Sequence, residues 1–237
     1  MPKALSMNGT SATLPAQEAL RLGLRTLQAA QVESASLDAR ILLQHVLSIT
    51  REQWIASTQL RMSAAQQAQY DVLITRRAQR EPVSHLLGRR EFWGMPFTVS
   101  AATLDPRPDS ETVVEAVLTR IFDHSAALSV LDLGTGTGCL LLSLLKELPN
   151  ARGLGVDLSR EALAVAQSNA QALGLQPCAE FRHGNWCAEL SGRFDVIVSN
   201  PPYIPSGTIP TLAPEVARYE PRLALDGGAD GLDCYRN

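Results

Sequence analysis

The chain has 237 residues, 45% of them hydrophobic and 19% charged, a composition that excludes disorder and collagen-like repetition and leaves room for two compact units. No stretch approaches the roughly 18 uninterrupted apolar residues of a membrane helix, and MPKALSMNGTSATLPAQ has no apolar block behind Lys3, so neither a membrane span nor a cleaved secretory signal is expected. The net charge of -3 is unevenly divided, 11 Lys+Arg against 7 Asp+Glu in residues 1–100 and 10 against 17 in residues 101–237; this argues against a nucleic-acid partner for the back half.

From Pro15 to Arg80 the periodicity is helical. Leu20, Leu24 and Leu27 recur at i, i+4 and i+7, Leu37, Ile41 and His45 at every fourth position, and Tyr70, Leu73 and Ile74 form a third stripe behind Ser63 and Gln66 at capping-box spacing. Pro82 should stop the last helix. Four or five short helices, their stripes facing a core, are expected to make an all-helical N-terminal domain over residues 1–87.

At Gly88 the character changes. Phe92, Trp93, Phe97 and Val99 among Gly94 and Pro96 predict an interdomain hairpin or linker over 88–104. Pro106 and Pro108 then stiffen the backbone around Arg107, and Asp109 or Ser110 should cap a helix through Val113, Val114 and Val117. Beyond it, Val130–Leu133, Leu154–Val156, the surroundings of Phe181 and Asp195–Ser199 read as strands, with Cys139–Leu148 and Glu161–Leu173 as helices. Such a βαβ succession predicts an α/β domain over 105–237, a parallel sheet covered by helices on both faces. Four dispersed cysteines, without CxxC spacing or a neighbouring His, are expected to be buried free thiols, with no disulfide and no metal.

Two motifs carry chemistry. Val130-Leu-Asp-Leu-Gly134-Thr135-Gly136-Thr137-Gly138 runs from a strand directly into a helix, where glycines let a ligand approach the backbone and the helix start offers amides. Asp157 closes the next strand, placed to accept hydrogen bonds from both hydroxyls of a ribose, so a nucleoside-containing cofactor is implied. Cys139 stands where the dinucleotide fingerprint needs a third spaced glycine; the GxGxG form resembles the S-adenosylmethionine loop of class I methyltransferases. A purely structural tight turn is the alternative for this motif alone. The second motif is Asn200-Pro201-Pro202-Tyr203 at the end of the fourth strand, beyond which ligands lie in a doubly wound sheet. The two prolines could merely end a strand. Chemically, the Asn200 side-chain oxygen and the Pro201 carbonyl suit an amide or amino nitrogen, whose lone pair is delocalised and whose two N–H groups need acceptors before it can attack an electrophile. Tyr203 offers an aromatic face to a planar group. His183 is left without a role.

Taken with GRREFWGMPFTVS, PRPDSE, VLDLGTGTG, SNPPYIP and YEPRLALDGGADGLDCYR, the chain resembles the HemK/PrmC family over nearly its whole length. Members of that family methylate the N5 atom of the glutamine in the GGQ motif of class I peptide chain release factors. The resemblance implies a class I, Rossmann-like methyltransferase fold behind a helical domain that binds the release factor. It implies S-adenosylmethionine as methyl donor, held by Gly134, Thr135, Gly136, Thr137, Gly138, Asp157, Trp186 and Asn200. Asn200, Pro201, Pro202 and Tyr203 would bind the glutamine, with Asn200, Pro201 and Tyr203 catalytic. A cytoplasmic monomer without metal and without a nucleic-acid substrate is expected. Ser110 replaces the family's usual Thr and keeps a hydroxyl for capping; Asn185 stands where an acidic residue is common. Asp226-Gly-Gly-Ala-Asp230-Gly231 lacks the ligand set of a calcium loop and reads as a glycine-rich turn near the substrate entrance. Two other readings remain: an adenine N6 DNA or RNA methyltransferase, because NPPY resembles those enzymes too, and a catalytically impaired short homologue. The family continues past DGLDCYR with further strands, so the strand bearing Asn200 is expected at an open sheet edge, with lowered stability.

Overall fold

The computed structural model describes residues 14–57, 59–188 and 190–236, and the chain divides into two units, Met1–Leu87 and Gly88–Asn237. The segment before Leu14, read as carrying no secretory signal, lies outside the described residues. Among the described residues, no helix is long and apolar enough to cross a membrane.

The first unit holds β1 (Leu14–Pro15), α1 (Ala16–Ala29), α2 (Ala35–Leu47), α3 (Arg51–Ala56), β2 (Arg61–Met62), α4 (Ala64–Ala78) and α5 (Val83–Leu87). Leu27, Leu42, Leu43, Tyr70 and Ile74 meet in one core, each large side chain worth about 1.5–3 kcal/mol of burial. Tyr70 crosses so close to α1 that a Cβ on Gly23 would stand 2.3 Å from its hydroxyl oxygen. That hydroxyl donates to the Ala39 carbonyl at 3.1 Å. Both bonds of the Ser63–Gln66 capping box are present, and Thr50 with Gln53 forms a second one. Two expectations change. Leu37 is 48% exposed, because α2 buries the neighbouring face of Ala35, Asp38, Ala39, Leu42, Leu43 and Val46 instead. Pro82 begins a helix rather than ending one: α4 stops at Ala78, and the Pro82 carbonyl accepts the Leu86 N–H at 3.0 Å in the first turn of α5.

The second unit opens with the hairpin β3 (Arg89–Phe92) and β4 (Met95–Thr98), followed by α6 (Glu111–Leu118), β5 (Ser129–Leu133), α7 (Cys139–Glu147), β6 (Arg152–Asp157), α8 (Arg160–Ala172), β7 (Ala179–His183), β8 (Val196–Ser199), α9 (Pro214–Tyr219) and α10 (Asp233–Arg236). The hairpin is no free linker: Phe92 and Phe97 are buried in the same core as Val130, Leu141 and Val198. The four long-range strands form one sheet in the order β7-β6-β5-β8, every pair parallel, so the α/β class holds. Right-handed crossovers from β5 to β6 and from β6 to β7 move the same way across the sheet and put α7 and α8 on one face. Between His183 and Val196 the described residues form turns and no helix. The expected covering of both faces is therefore incomplete, and Ile197 on the other face is 59% exposed. Among the described residues, β7 and β8 are the two edge strands of this sheet.

Candidate active site

Because β5 stands between β6 and β8, the carboxyl ends of three adjacent strands converge, each carrying one of the sequence motifs. A cavity of about 420 Å³ opens there, of the size that small-molecule sites usually have.

The loop after β5 supplies one wall. Gly134, Gly136 and Gly138 take φ of 72°, 55° and 79°, the left-handed region where a side chain is strained. A Cβ on Gly136 would meet no protein atom within 4 Å, so the loop presents bare backbone to the cavity. Its amides are less available than the sequence implies: Gly134 and Thr135 N–H donate to the Val156 carbonyl, Gly138 to Thr135, and Gly136 to Asp157 Oδ2 at 2.8 Å. Close approach, rather than free amides, is what these glycines provide. Residues 134–137 line the cavity; Gly138 instead caps α7, where a Cβ would press on Leu142 and Ala166.

Asp157, at the tip of β6, lies on the same wall. Its oxygens accept from Gly136 N and from Ser159 N at 2.9 Å, and each keeps a lone pair for a hydroxyl donor. The Trp186 ring edge stands 3.9 Å from the Cβ position of Gly134, with φ of 52°, a conformation costing about 1–3 kcal/mol in so large a residue. A bare glycine cradle, a carboxylate and an aromatic ring around one cavity fit a nucleoside-containing cofactor.

At the end of β8, Asn200 and Pro202 line the cavity, whereas two other expected site residues, the buried Pro201 and the 60% exposed Tyr203, are not part of its lining. The chain then folds back on the glycine-rich segment. Ile204 N–H donates to Leu225, Gly227 N–H to Ile204, and Ser206 N–H to Gly228. At Gly231 a Cβ would stand 2.4 Å from the Tyr203 carbonyl oxygen, so this close contact holds the Asn-Pro-Pro-Tyr turn. Asn200 Nδ2 donates to Ser110 Oγ at 3.3 Å.

The segment 105–110 completes the wall. Glu220 accepts from Asp105 N at 3.1 Å and from Arg107 Nη2 at 2.9 Å; burial, more than Arg107 opposes it, raises the Glu220 carboxyl above its ordinary value. Ser110 does not cap α6 as expected, since a 3-10 turn over Pro108–Ser110 leads into that helix. Beneath the glycine loop, Asp132 is 1% exposed, with Oδ2 accepting the Thr135 hydroxyl at 2.7 Å and Oδ1 without a hydrogen bond. Its place inside an otherwise apolar strand run was the available sign.

The cysteines depart from expectation: Cys187 is exposed and Cys139, Cys178 and Cys234 are half-buried, all free thiols. Cys139 lines the cavity, but burial pushes its thiol up to about 12, which keeps it from acting as a thiolate. His183 ends β7 exposed. Among the described residues no His, Cys, Asp and Glu cluster could hold a metal ion.

Two family models match the chain, the PrmC N-terminal domain over residues 18–88 and the methyltransferase small domain over 108–215. The release factor glutamine methyltransferase of Rhodospirillum rubrum is 49% identical over 214 residues, which cover 90% of this chain and 65% of that protein. The protein of the same description from Caulobacter vibrioides is 48% identical over 211 residues, 89% of this chain and 73% of its own. The chain thus spans about two thirds to three quarters of the curated relatives' lengths. Among solved structures, a SAM-dependent methyltransferase from Geobacter sulfurreducens in complex with S-adenosyl-L-homocysteine aligns over 39% of this chain and 36% of its own, at 28% identity and a TM-score of 0.33. That overlap is too partial to define the fold, which rests on the strand order itself.

Proposed function

The chain belongs to the release factor glutamine methyltransferase family, and from that premise we propose that it transfers a methyl group from S-adenosylmethionine to the side-chain amide nitrogen (N5) of the glutamine in the GGQ motif of class I peptide chain release factors. The observation that carries this reading is the single cavity shared by the glycine loop, Asp157 and Asn200. Residues 134–137, Asp157, Trp186 and Asn200 would hold the cofactor, which would supply a methyl group on a sulfonium as the electrophile. Asn200 Oδ1 and the Pro201 carbonyl accept the two N–H bonds of the glutamine amide and turn its nitrogen toward that methyl. As the N–C bond forms and the methyl–sulfur pair stays with sulfur, the amide hydrogens become acidic. The same two oxygens then make charge-assisted hydrogen bonds, and one proton leaves to solvent. Tyr203 packs its ring on the planar amide. The helical unit is proposed to bind the release factor, and the protein to act as a cytoplasmic monomer without a metal.

Mass spectrometry of a release factor incubated with S-adenosylmethionine tests the reading. The GGQ peptide should gain one CH2 unit with the wild-type chain. With Asn200→Ala the rate should fall by about 100-fold or more, as when one positioned polar group at a reacting centre is lost. Methyl label entering duplex DNA offered in parallel, and none entering the release factor, would favour the adenine reading and overturn this one.

A further inference from the structure

Ser110 has a contact that its place before a helix does not explain. Its hydroxyl makes no cap bond to the first turn of α6, and the Asp109 carbonyl takes the Thr112 hydroxyl. The Ser110 oxygen instead accepts from Asn200 Nδ2 at 3.3 Å, and both side chains stand on the cavity wall. A serine oxygen can donate or accept; here it accepts, so the nitrogen branch of the carboxamide is tethered. Oδ1 is left as the branch for the cavity. The segment bearing Ser110 is itself anchored, through Asp105 N and Arg107, on the buried Glu220.

We propose that Ser110 is a positioning residue for methyl transfer: it holds the Asn200 carboxamide with Oδ1 toward the substrate amide. This rests on the role given to Asn200 above. An untethered carboxamide turns about its terminal torsion, which has two broad wells. In one of them it offers NH2, a donor, to a substrate nitrogen that needs an acceptor. An acceptor already in place requires no reorganisation during the reaction. Among the described residues no hydrogen bond joins Ser110 to the glycine loop or to Asp157, so the hold of those residues on the cofactor should not depend on it.

The test compares wild type, Ser110→Ala and Ser110→Thr in a labelled-methyl assay with a GGQ-containing release factor. S-adenosylhomocysteine titration and thermal melting run alongside. In Ser110→Ala, kcat should fall about tenfold, the worth of one hydrogen bond, with the KM for S-adenosylmethionine, S-adenosylhomocysteine affinity and melting unchanged. Ser110→Thr should restore the rate. An unchanged kcat in Ser110→Ala overturns the proposal, and so does a loss matched in S-adenosylhomocysteine affinity or melting, which would make Ser110 a scaffold residue. If the wild-type chain methylates no release factor, the functional reading fails separately. The tether is then judged on the 15N–1H resonances of the Asn200 side-chain amide, assigned by their absence in Asn200→Asp. Resonances displaced in Ser110→Ala and restored in Ser110→Thr support it; resonances unmoved in Ser110→Ala overturn it.

Discussion

Asp132 lies inside β5 with 1% of its surface exposed, and one of its two oxygens has no hydrogen bond. Burial is the largest influence on it and pushes its carboxyl up to about 7, against a smaller opposing contribution from the Thr135 hydroxyl. An unfolded Asp loses its proton near pH 3.9. Between about pH 4 and pH 7 the folded chain therefore holds a proton that the unfolded chain has released, and stability falls as pH rises through that window, levelling off above it. Asp132→Asn keeps an oxygen for Thr135 and cannot ionise. Its melting temperature should lose less than that of wild type between pH 4 and pH 8. The difference should amount to several degrees, since 1 kcal/mol is worth about 2–4 °C in a chain of this size. Parallel melting curves across that range would show that Asp132 does not titrate there.

Asn169 joins three elements through one carboxamide. From α8, with 1% exposure, its Oδ1 accepts the Thr98 N–H at 2.8 Å, and its Nδ2 donates to the carbonyls of Thr98 at 3.1 Å and Thr137 at 3.0 Å. The hairpin strand and the glycine loop are thus fixed to one helix. Asn169→Ala leaves the buried Thr137 carbonyl unpaired, at about 1–3 kcal/mol, and removes the partner of the part-buried Thr98 N–H and carbonyl. It should lower the melting temperature and weaken S-adenosylhomocysteine binding through the loosened loop. Asn169→Asp turns a carboxylate toward two carbonyls and should be no better than alanine; an aspartate variant as stable as wild type would contradict the staple. Much at this scale was legible. The strands and helices of the second unit from α6 to β8 fall within about two residues of those read from periodicity, as is usual for element ends, while α9 and α10 were not read; the Ser63–Gln66 box is as its spacing predicts. The Thr50–Gln53 box had the same signature and went unread. Asn169 carried only a weak sign, a polar residue between Ala166 and Ala170 on a buried helix face. Leu37 misled because in an alanine-rich helix small residues can define the buried face as well as large ones.

Strand order belongs to the whole molecule, and no local pattern encodes it: buried parallel strands read alike whichever neighbours they have. What was legible was that strand ends gather ligands, which placed the glycine loop and Asn200 together before the order was known. Partnership across long separations, such as Ser110 with Asn200 or Arg107 with Glu220, had no signal in either segment alone. Among the described residues the order β7-β6-β5-β8 leaves β8 paired only with β5, and on that strand Ile197 is exposed on the face away from α7. A row of unpaired backbone groups beside an exposed apolar side chain is a route to edge-to-edge association. Ile197→Lys should therefore reduce concentration-dependent light scattering, although it moves the net charge from -3 toward zero, which by itself favours association. Ile197→Glu, which moves the charge the other way, should reduce it as well, so that net charge and edge protection separate. Ile197 does not line the cavity, and an exposed substitution of this kind should change stability by no more than about 0.5 kcal/mol. Both variants should then keep wild-type affinity for S-adenosylhomocysteine. Reduced scattering in Ile197→Glu alone would assign the association to net charge, because only edge protection predicts the same direction for both.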